Sequence, residues 1–476
     1  MLRGAGILMP IFSLPNKSGF GTLGKEAYEF VDFLSETRQR YWQILPINDV
    51  DIYGSPFCSK GVYSGNPLFI DLEEFFKKDE LNSYGFDKKM SYESFKKIKM
   101  ELLYVWFSRT DYREKIEEFK KHNTWVSKYS IFMAIRHKYK GLSKFPIYLK
   151  DINSGKYEDY LNKNKELIEF YEFTQYVFFK QWFRLKEYVN SKGIYIIGDS
   201  PCNSSMDSAE AFFDRKMYLM DERCNPSKVA GVPPDYFSKE GQCWNTLIYN
   251  YDYMKSNGYE YLLDKYRYML TIYDYLKIDH FRGLEYYYAI PYGRADGKVG
   301  EWLPGPGYEF IDLLRKNNLG NLILEDLGII SDGVVKLKEY SGFPGMKVFQ
   351  FAFGEENSPF LPHNYNENCV VYTGTHDNDT FVSMLKEKEY RDKVKEYIAT
   401  NSDENEDIVY TCLEKLYESK GNVVIVNPQD LLLQGNKYRF NAPGTIDNNW
   451  LYNAPRGLYN NDIKQFLFNC VSKTGR

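Results

Sequence analysis

Eight short apolar, β-branched or aromatic runs punctuate this 476-residue chain, at residues 6–9, 41–45, 194–197, 275–278, 322–324, 346–351, 370–372 and 423–426. Runs so short and so apolar suit strands buried on both faces. Amphipathic stretches follow several of them: residues 25–36 set Ala27, Phe30, Val31 and Leu34 on one face, and 308–316 and 386–399 repeat the helical period. Strands alternating with helices imply a parallel sheet. Eight of them, several ending in carboxylates, predict an α/β chain folded as a (β/α)8 barrel, whose functional side chains gather at the C-terminal ends of the strands.

The spacing of the runs is uneven. Residues 57–190 fall between the second and third runs and show helical periodicity over 91–121 and 166–190, which predicts an inserted helical subdomain. Residues 200–270 hold Val229-Ala230-Gly231-Val232-Pro233-Pro234-Asp235-Tyr236-Phe237 and Gly241-Gln242-Cys243-Trp244, whose Pro and aromatic content suits an ordered active-site flap. The expectation is one catalytic barrel domain over residues 1–476 with these insertions and no separate C-terminal β domain.

Three runs end in acids. Lys277-Ile278-Asp279-His280-Phe281-Arg282-Gly283 fixes a carboxylate between two cations, a setting that favours its ionised form. Asn321-Leu322-Ile323-Leu324-Glu325-Asp326-Leu327-Gly328 repeats the pattern, and Cys369-Val370-Val371-Tyr372-Thr373-Gly374-Thr375-His376-Asp377-Asn378-Asp379-Thr380 supplies a third. Two of the five histidines, His280 and His376, adjoin two of these acids. One such Asp alone reads equally well as a structural ion pair. Three acids delivered by the same strand-end device point to chemistry.

Composition narrows the classes. Against 65 acidic residues stand 61 basic ones, a net charge of -4, so no basic surplus supports nucleic-acid binding, and neutral or small-molecule partners fit better. Seven cysteines without metal-ligand spacing read as free thiols of a cytoplasmic protein. No run reaches the roughly 18 apolar residues of a membrane span. Gly19-Phe20-Gly21-Thr22-Leu23-Gly24 fits the dinucleotide-binding pattern, yet Pro10 and Pro15 separate it from the preceding strand, whereas a phosphate cradle needs the glycines at the strand–helix turn. Cys202 has no His within motif reach and reads as a plain thiol; Asp377-Asn378-Asp379 is oxygen-rich but lacks regularly spaced further metal ligands.

An ionised carboxylate and a protonated one flanking a single bond are the equipment of retaining glycosidic chemistry. With Trp42-Gln43-Ile44-Leu45-Pro46, Gly65-Asn66-Pro67, the loop 229–237, Phe343-Pro344-Gly345-Met346-Lys347-Val348, and Asn441-Ala442-Pro443-Gly444-Thr445 before Asn449-Trp450, the three acidic motifs make the chain resemble the 4-alpha-glucanotransferases of the amylomaltase type, in glycoside hydrolase family seventy-seven, nearly end to end. The resemblance implies Asp279 as nucleophile, Glu325 as acid/base and Asp377 as transition-state stabiliser. It implies sugar contacts from His280 and His376, a pocket ordered by Asp199 and Lys277, and Tyr53 stacked on the ring beside Ser55. It also implies a flap carrying Asp235 that covers the glucan and delivers Trp244.

The implied reaction moves α-1,4-glucan segments between maltooligosaccharides, with no metal or organic cofactor, no nucleic-acid or membrane partner, and a monomer or homodimer as the working unit. A mainly hydrolytic α-glucosidase-like enzyme and a decayed glucan-binding protein are the alternatives. The chain departs from the family pattern where Lys277 stands for Arg, where Tyr53-Gly54-Ser55-Pro56-Phe57-Cys58 is one residue short, at Trp244-Asn245-Thr246-Leu247 in place of Trp-Gly-Asn-Pro, and at Ser200-Pro201-Cys202-Asn203.

Overall fold

A strand with apolar side chains on both faces is stable only when both faces are covered, and a closed parallel barrel ringed by helices does this for every strand at once. In the computed structural model, which describes residues 1–476 except 52, 235–238, 329 and 446, all eight runs become barrel strands. They are β1 (Gly4–Leu8), β2 (Tyr41–Gln43), β3 (Tyr195–Ser200), β4 (Tyr275–Ile278), β5 (Leu322–Leu324), β6 (Gly345–Val348), β7 (Cys369–Tyr372) and β8 (Val423–Val426). Every pair is parallel, and β1 closes the ring by pairing with both β2 and β8. The four residues of β8 are all 0% exposed, as a strand of Val and Ile packed on two sides should be.

The helix Lys25–Glu36 buries Ala27, Phe30, Val31 and Leu34 as the periodicity predicts, and sets Phe30 edge-on against Trp42 of β2 at 5.1 Å. The run at 346–351 is shorter as a strand than its apolarity suggests, since Phe349–Phe351 turn into a 3-10 helix after Val348. Between β2 and β3 the insertion is helical. The stretch 91–121 divides into Tyr92–Ser108 and Arg113–His122, and the Asp111 carboxylate accepts the Arg113 N–H at 3.1 Å at the start of the second. The helix Lys165–Ser191 then runs along the barrel, burying Phe173, Phe178, Trp182 and Leu185.

The region expected to be a flap is more regular than its sequence suggests. Lys228–Val232 and Gln242–Leu247 pair antiparallel and join Ser204–Ser205, Tyr286–Pro291 and Glu301–Pro304 in a five-stranded sheet. Its strands come from the loops after β3 and after β4, so neither loop alone carries the spacing of a complete sheet. After β8 no strand occurs among the described residues, and the chain ends in the helix Asn461–Thr474. No described helix is long and apolar enough to cross a membrane.

Gly198 lies in β3 just before Asp199, and a Cβ there would be driven into the ring of Tyr273, itself 1% exposed. Gly198→Ala is therefore expected to lose about 1–3 kcal/mol to overpacking, read as a drop in the urea midpoint at unchanged m. Wild-type stability would show that Tyr273 has room to move.

Candidate active site

Three neighbouring strands bring the first acids together through register alone. Asp199 pairs with Lys277 across β3 and β4, and Ile278 with Leu324 across β4 and β5. Asp279 and Glu325 therefore follow at the same rung of neighbouring strands, which lie about 4.8 Å apart. Backbone bonds hold this step: Asp279 N–H donates to Ser200 O at 3.2 Å, and Glu325 N–H to Ile278 O at 3.0 Å.

Lys277 Nζ stands 2.8 Å from Asp199 Oδ2 and 3.4 Å from Asp279 Oδ1. Asp199 is 0% and Lys277 3% exposed, so this charge cannot be traded for water. Burial works against the Lys277 charge, but Asp199, then Asp279 and Glu325, reverse that and raise its pKa above the ordinary lysine value. Asp199 shows the opposite balance: burial raises its carboxyl to about 6 against the pull of Lys277.

Glu325 is set up as an acid. Burial first, and then the charge of Asp279, raise its pKa to about 8, against the opposing pull of Lys277 and the His280 amide. His280 adopts a left-handed backbone, φ 50, a region in which His is among the better-tolerated non-glycine residues. From there its N–H donates to Glu325 Oε2 at 2.8 Å, while Leu327 N–H donates to Oε1 at 3.1 Å. Burial lowers the His280 pKa to about 4, which keeps its ring neutral. Trp244 meets that ring edge-on at 4.9 Å and 89°.

The third acid is held from a different direction. His376 Nε2 lies 3.2 Å from Asp377 Oδ2, and Asn441 Nδ2 donates to Asp377 Oδ1 at 2.6 Å. Desolvation in the cleft opposes ionisation of Asp377, but His376, Asn441 and the more distant Lys277 hold its pKa down to about 2. Arg439 donates to the Asp377 carbonyl at 2.6 Å and pairs with Asp379. The His376 ring stacks on Phe57 at 4.9 Å and 16°, with Trp450 at 5.9 Å.

Asp199, Lys277, Asp279, His280, Glu325, His376, Asp377 and Trp244 are thus linked by direct contacts, strand register or electrostatic coupling. Tyr53 is 52% exposed, and its N–H and that of Ser55 both donate to Asp51 Oδ1, at 2.9 and 3.0 Å. Asp235 lies outside the described residues. Asn441, Arg439 and Phe57 were not singled out from the sequence. Asn441 stood in a motif that marked the resemblance without a role, and Phe57 was noted only as a departure from the family pattern.

Three alternative readings meet their physical surroundings here. The Gly19–Gly24 stretch packs on the 3-10 turn Ile11–Ser13, and a Cβ at Gly24 would lie 2.7 Å from the Asp71 carboxyl carbon, so a carboxylate stands close to where a phosphate would have to sit. Asn378 folds its side-chain oxygen back on Thr375 N at 2.7 Å while Asp379 pairs with Arg439, which turns those oxygens to structural use. Cys202 is a free thiol whose pKa burial raises, keeping it protonated.

A family model described as 4-alpha-glucanotransferase matches residues 9–457. A 4-alpha-glucanotransferase of Clostridium butyricum is 38% identical over 98% of this chain and 100% of its own length, and one of Aquifex aeolicus is 36% identical over 94% of this chain and 95% of its own. Among solved structures, an amylomaltase from Streptococcus agalactiae in complex with acarbose superposes with a TM-score of 0.94 at 35% identity, covering 100% of this chain and 99% of that one.

Removing Asp199 leaves a buried ammonium with one partner fewer. Asp199→Ala is expected to cost about 3 kcal/mol of stability, whereas a loss below about 1 kcal/mol in denaturant titration would mean that Asp279 alone satisfies Lys277. Asn441→Ala removes a charge-assisted hydrogen bond worth about 1.5–3 kcal/mol. Because that bond holds Asp377, kcat should fall ten-fold or more while the melting temperature drops by only a few degrees; unchanged kcat would detach Asn441 from the site.

Proposed function

Because the chain belongs to the 4-alpha-glucanotransferase family, we propose that its cleft transfers α-1,4-glucan segments between maltooligosaccharides in the cytoplasm, with Asp279 as nucleophile, Glu325 as acid/base and Asp377 as stabiliser of the transition state. The observation that carries the assignment of roles is the contrast between two acids on adjacent strands. Asp279 faces a fixed ammonium at 3.4 Å, while burial and Asp279 itself raise Glu325 to about 8.

In the first step an Asp279 oxygen attacks C1 of the donor sugar as the C1–O4 bond breaks, and Glu325 gives its proton to the leaving O4. Forming the ester removes the charge of Asp279, the second-largest influence raising Glu325. Glu325 then becomes a stronger acid, and its carboxylate is the form needed to take the proton from the acceptor 4-hydroxyl. That oxygen attacks C1, Asp279 leaves as carboxylate, and Glu325 is protonated again. Strand register is compatible with the roughly 5–5.5 Å carboxyl separation of retaining enzymes.

Asp377 contributes charge. His376 and Asn441 hold both of its oxygens, so the carboxylate is preorganised toward the cationic ring of the transition state without reorganising during it. His280, neutral and aimed by its left-handed backbone, offers a ring nitrogen to a sugar hydroxyl without adding a competing positive charge. Trp244 shields that ring, and excluding water there favours a sugar acceptor over hydrolysis.

Incubation with maltotriose should yield glucose together with a ladder of longer oligosaccharides; a gain in reducing ends without a ladder would mean hydrolysis. Asp279→Asn should abolish turnover with the fold intact. With maltotriose as donor, kcat/KM should fall as pH rises through about 8, because Glu325 loses the proton the leaving group needs. An α-glucosyl fluoride donor needs no such proton, so its single-turnover glycosylation should not show that limb. The same limb with both donors would assign the ionisation to another group.

A further inference from the structure

A cavity of about 640 Å³ lies away from the three acids, between the loop that follows β2 and the inserted helices Tyr92–Ser108, Trp125–Tyr139 and Lys165–Ser191. Its charged lining is Lys60, Lys96, Arg136 and Lys140 against Asp49 and Glu101. Asp49 is already engaged, by Lys60 Nζ at 3.2 Å and by the Tyr129 hydroxyl at 2.7 Å. Arg136 is held by Asp207 at 2.7 Å. Lys96 forms no ion pair among the described residues; its ammonium lies 5.8 Å over the Tyr92 ring. Burial, with Lys60 and Arg136 adding to it against Asp49 and Asp51, lowers the Lys96 pKa to about 8. An amine held among cations and short of a counter-charge gains most from a bound anion.

The rest of the wall is not that of a simple ion site. Tyr104 and Phe170 meet edge-on at 5.3 Å, and Tyr171 shares a hydrogen bond of 3.0 Å with His137 Nδ1. Aromatic faces with hydroxyl and carboxylate groups around them suit a sugar ring. We propose that this cavity binds a hexose monophosphate, its phosphate on Lys96 with Lys140 and Arg136 at hand, and its ring against Tyr104 and Phe170.

Occupancy has a route to the cleft. Asp49, Val50 and Lys60 form the cavity's wall from the loop that also carries Asp51, which caps the turn at Tyr53 and Ser55, and Phe57, which stacks on His376 beside Asp377. Lys60 ties the two ends of this loop by bonding the Val50 carbonyl and Asp49. A phosphate drawing on the field around Lys60 and Lys96 would therefore bias the placement of Phe57, and with it the acid it supports.

The test is calorimetric titration of the full chain with glucose 6-phosphate, glucose and inorganic phosphate, each with and without saturating acarbose. Binding of glucose 6-phosphate at least ten-fold tighter than either glucose or phosphate, unaffected by acarbose, is expected. Lys96→Met should weaken it ten-fold or more while maltotriose turnover without added phosphate stays within two-fold of wild type, and Lys140→Glu, at an exposed position, should weaken it independently. Failure to bind, equal affinity for inorganic phosphate, competition by acarbose, or full binding in both variants would each overturn the site. A two-fold or greater change in maltotriose turnover on saturation supports the coupling through Phe57, and no change would overturn that coupling.

Discussion

Everything in the cleft is arranged around one buried ammonium. Lys277 is 3% exposed and holds Asp199 and Asp279 at 2.8 and 3.4 Å, so a single positive charge is shared by a fully buried carboxylate and one that is only partly buried. Buried ion pairs add little net stability, since desolvation consumes most of the Coulomb gain. What Lys277 provides is position and state: Asp279 cannot swing away from it without leaving that charge poorly compensated, and Glu325 experiences both Lys277 and Asp279 from the end of the neighbouring strand, level with Asp279. A guanidinium would grip one carboxylate with two prongs; an ammonium is a point charge that can be divided between two. The geometry here is a division, with the shorter contact given to the structural acid.

The barrel makes this division possible. Parallel register places Asp199 opposite Lys277 and Ile278 opposite Leu324, so the acids inherit their relative heights from ladder hydrogen bonds. Gly198 lets Tyr273 pack against β3 just before Asp199. Asp377, by contrast, sits on a longer loop after β7 and is fixed by side chains: His376, Asn441 and Arg439. Two acids are positioned by backbone and one by a hydrogen-bonded cradle, which accords with their different tasks. The proposed nucleophile and acid need a set spacing; the proposed stabiliser needs its charge.

The backbone-positioned part was legible in the sequence. A buried parallel strand writes itself as a continuous apolar run, and a carboxylate directly after such a run can only lie at the barrel's mouth, so the eight strands and the three acids could be read from local pattern. The side-chain cradle could not. Asn441 is 64 residues from Asp377, and nothing local to either announces the contact. In the sequence Phe57 is only a change in a loop, and the fold stacks its ring on His376. The five-stranded sheet escaped for the same reason, its strands being drawn from two separate loops. Where structure rests on local periodicity the chain declares it, and where it rests on closure of distant loops only the fold does.

The electrostatics of the cleft are also self-timing. Glu325 is raised to about 8 by burial and by Asp279, and in the proposed reaction only the second of these disappears. An acid made weak by burial alone would stay weak and serve poorly as the base of the second step. An acid whose pKa depended wholly on Asp279 would be exposed to any shift in that side chain. With both contributions present, the proton is held firmly while Asp279 is charged and released more readily once Asp279 is esterified, without any movement of the backbone. Lys277 sharpens the change, because when Asp279 is neutralised the ammonium still pulls on Glu325 and the charge of Asp279 no longer counters it. In the proposed mechanism, the same charges that fix the ground state thereby reverse the role of Glu325 between the two halves of the transfer.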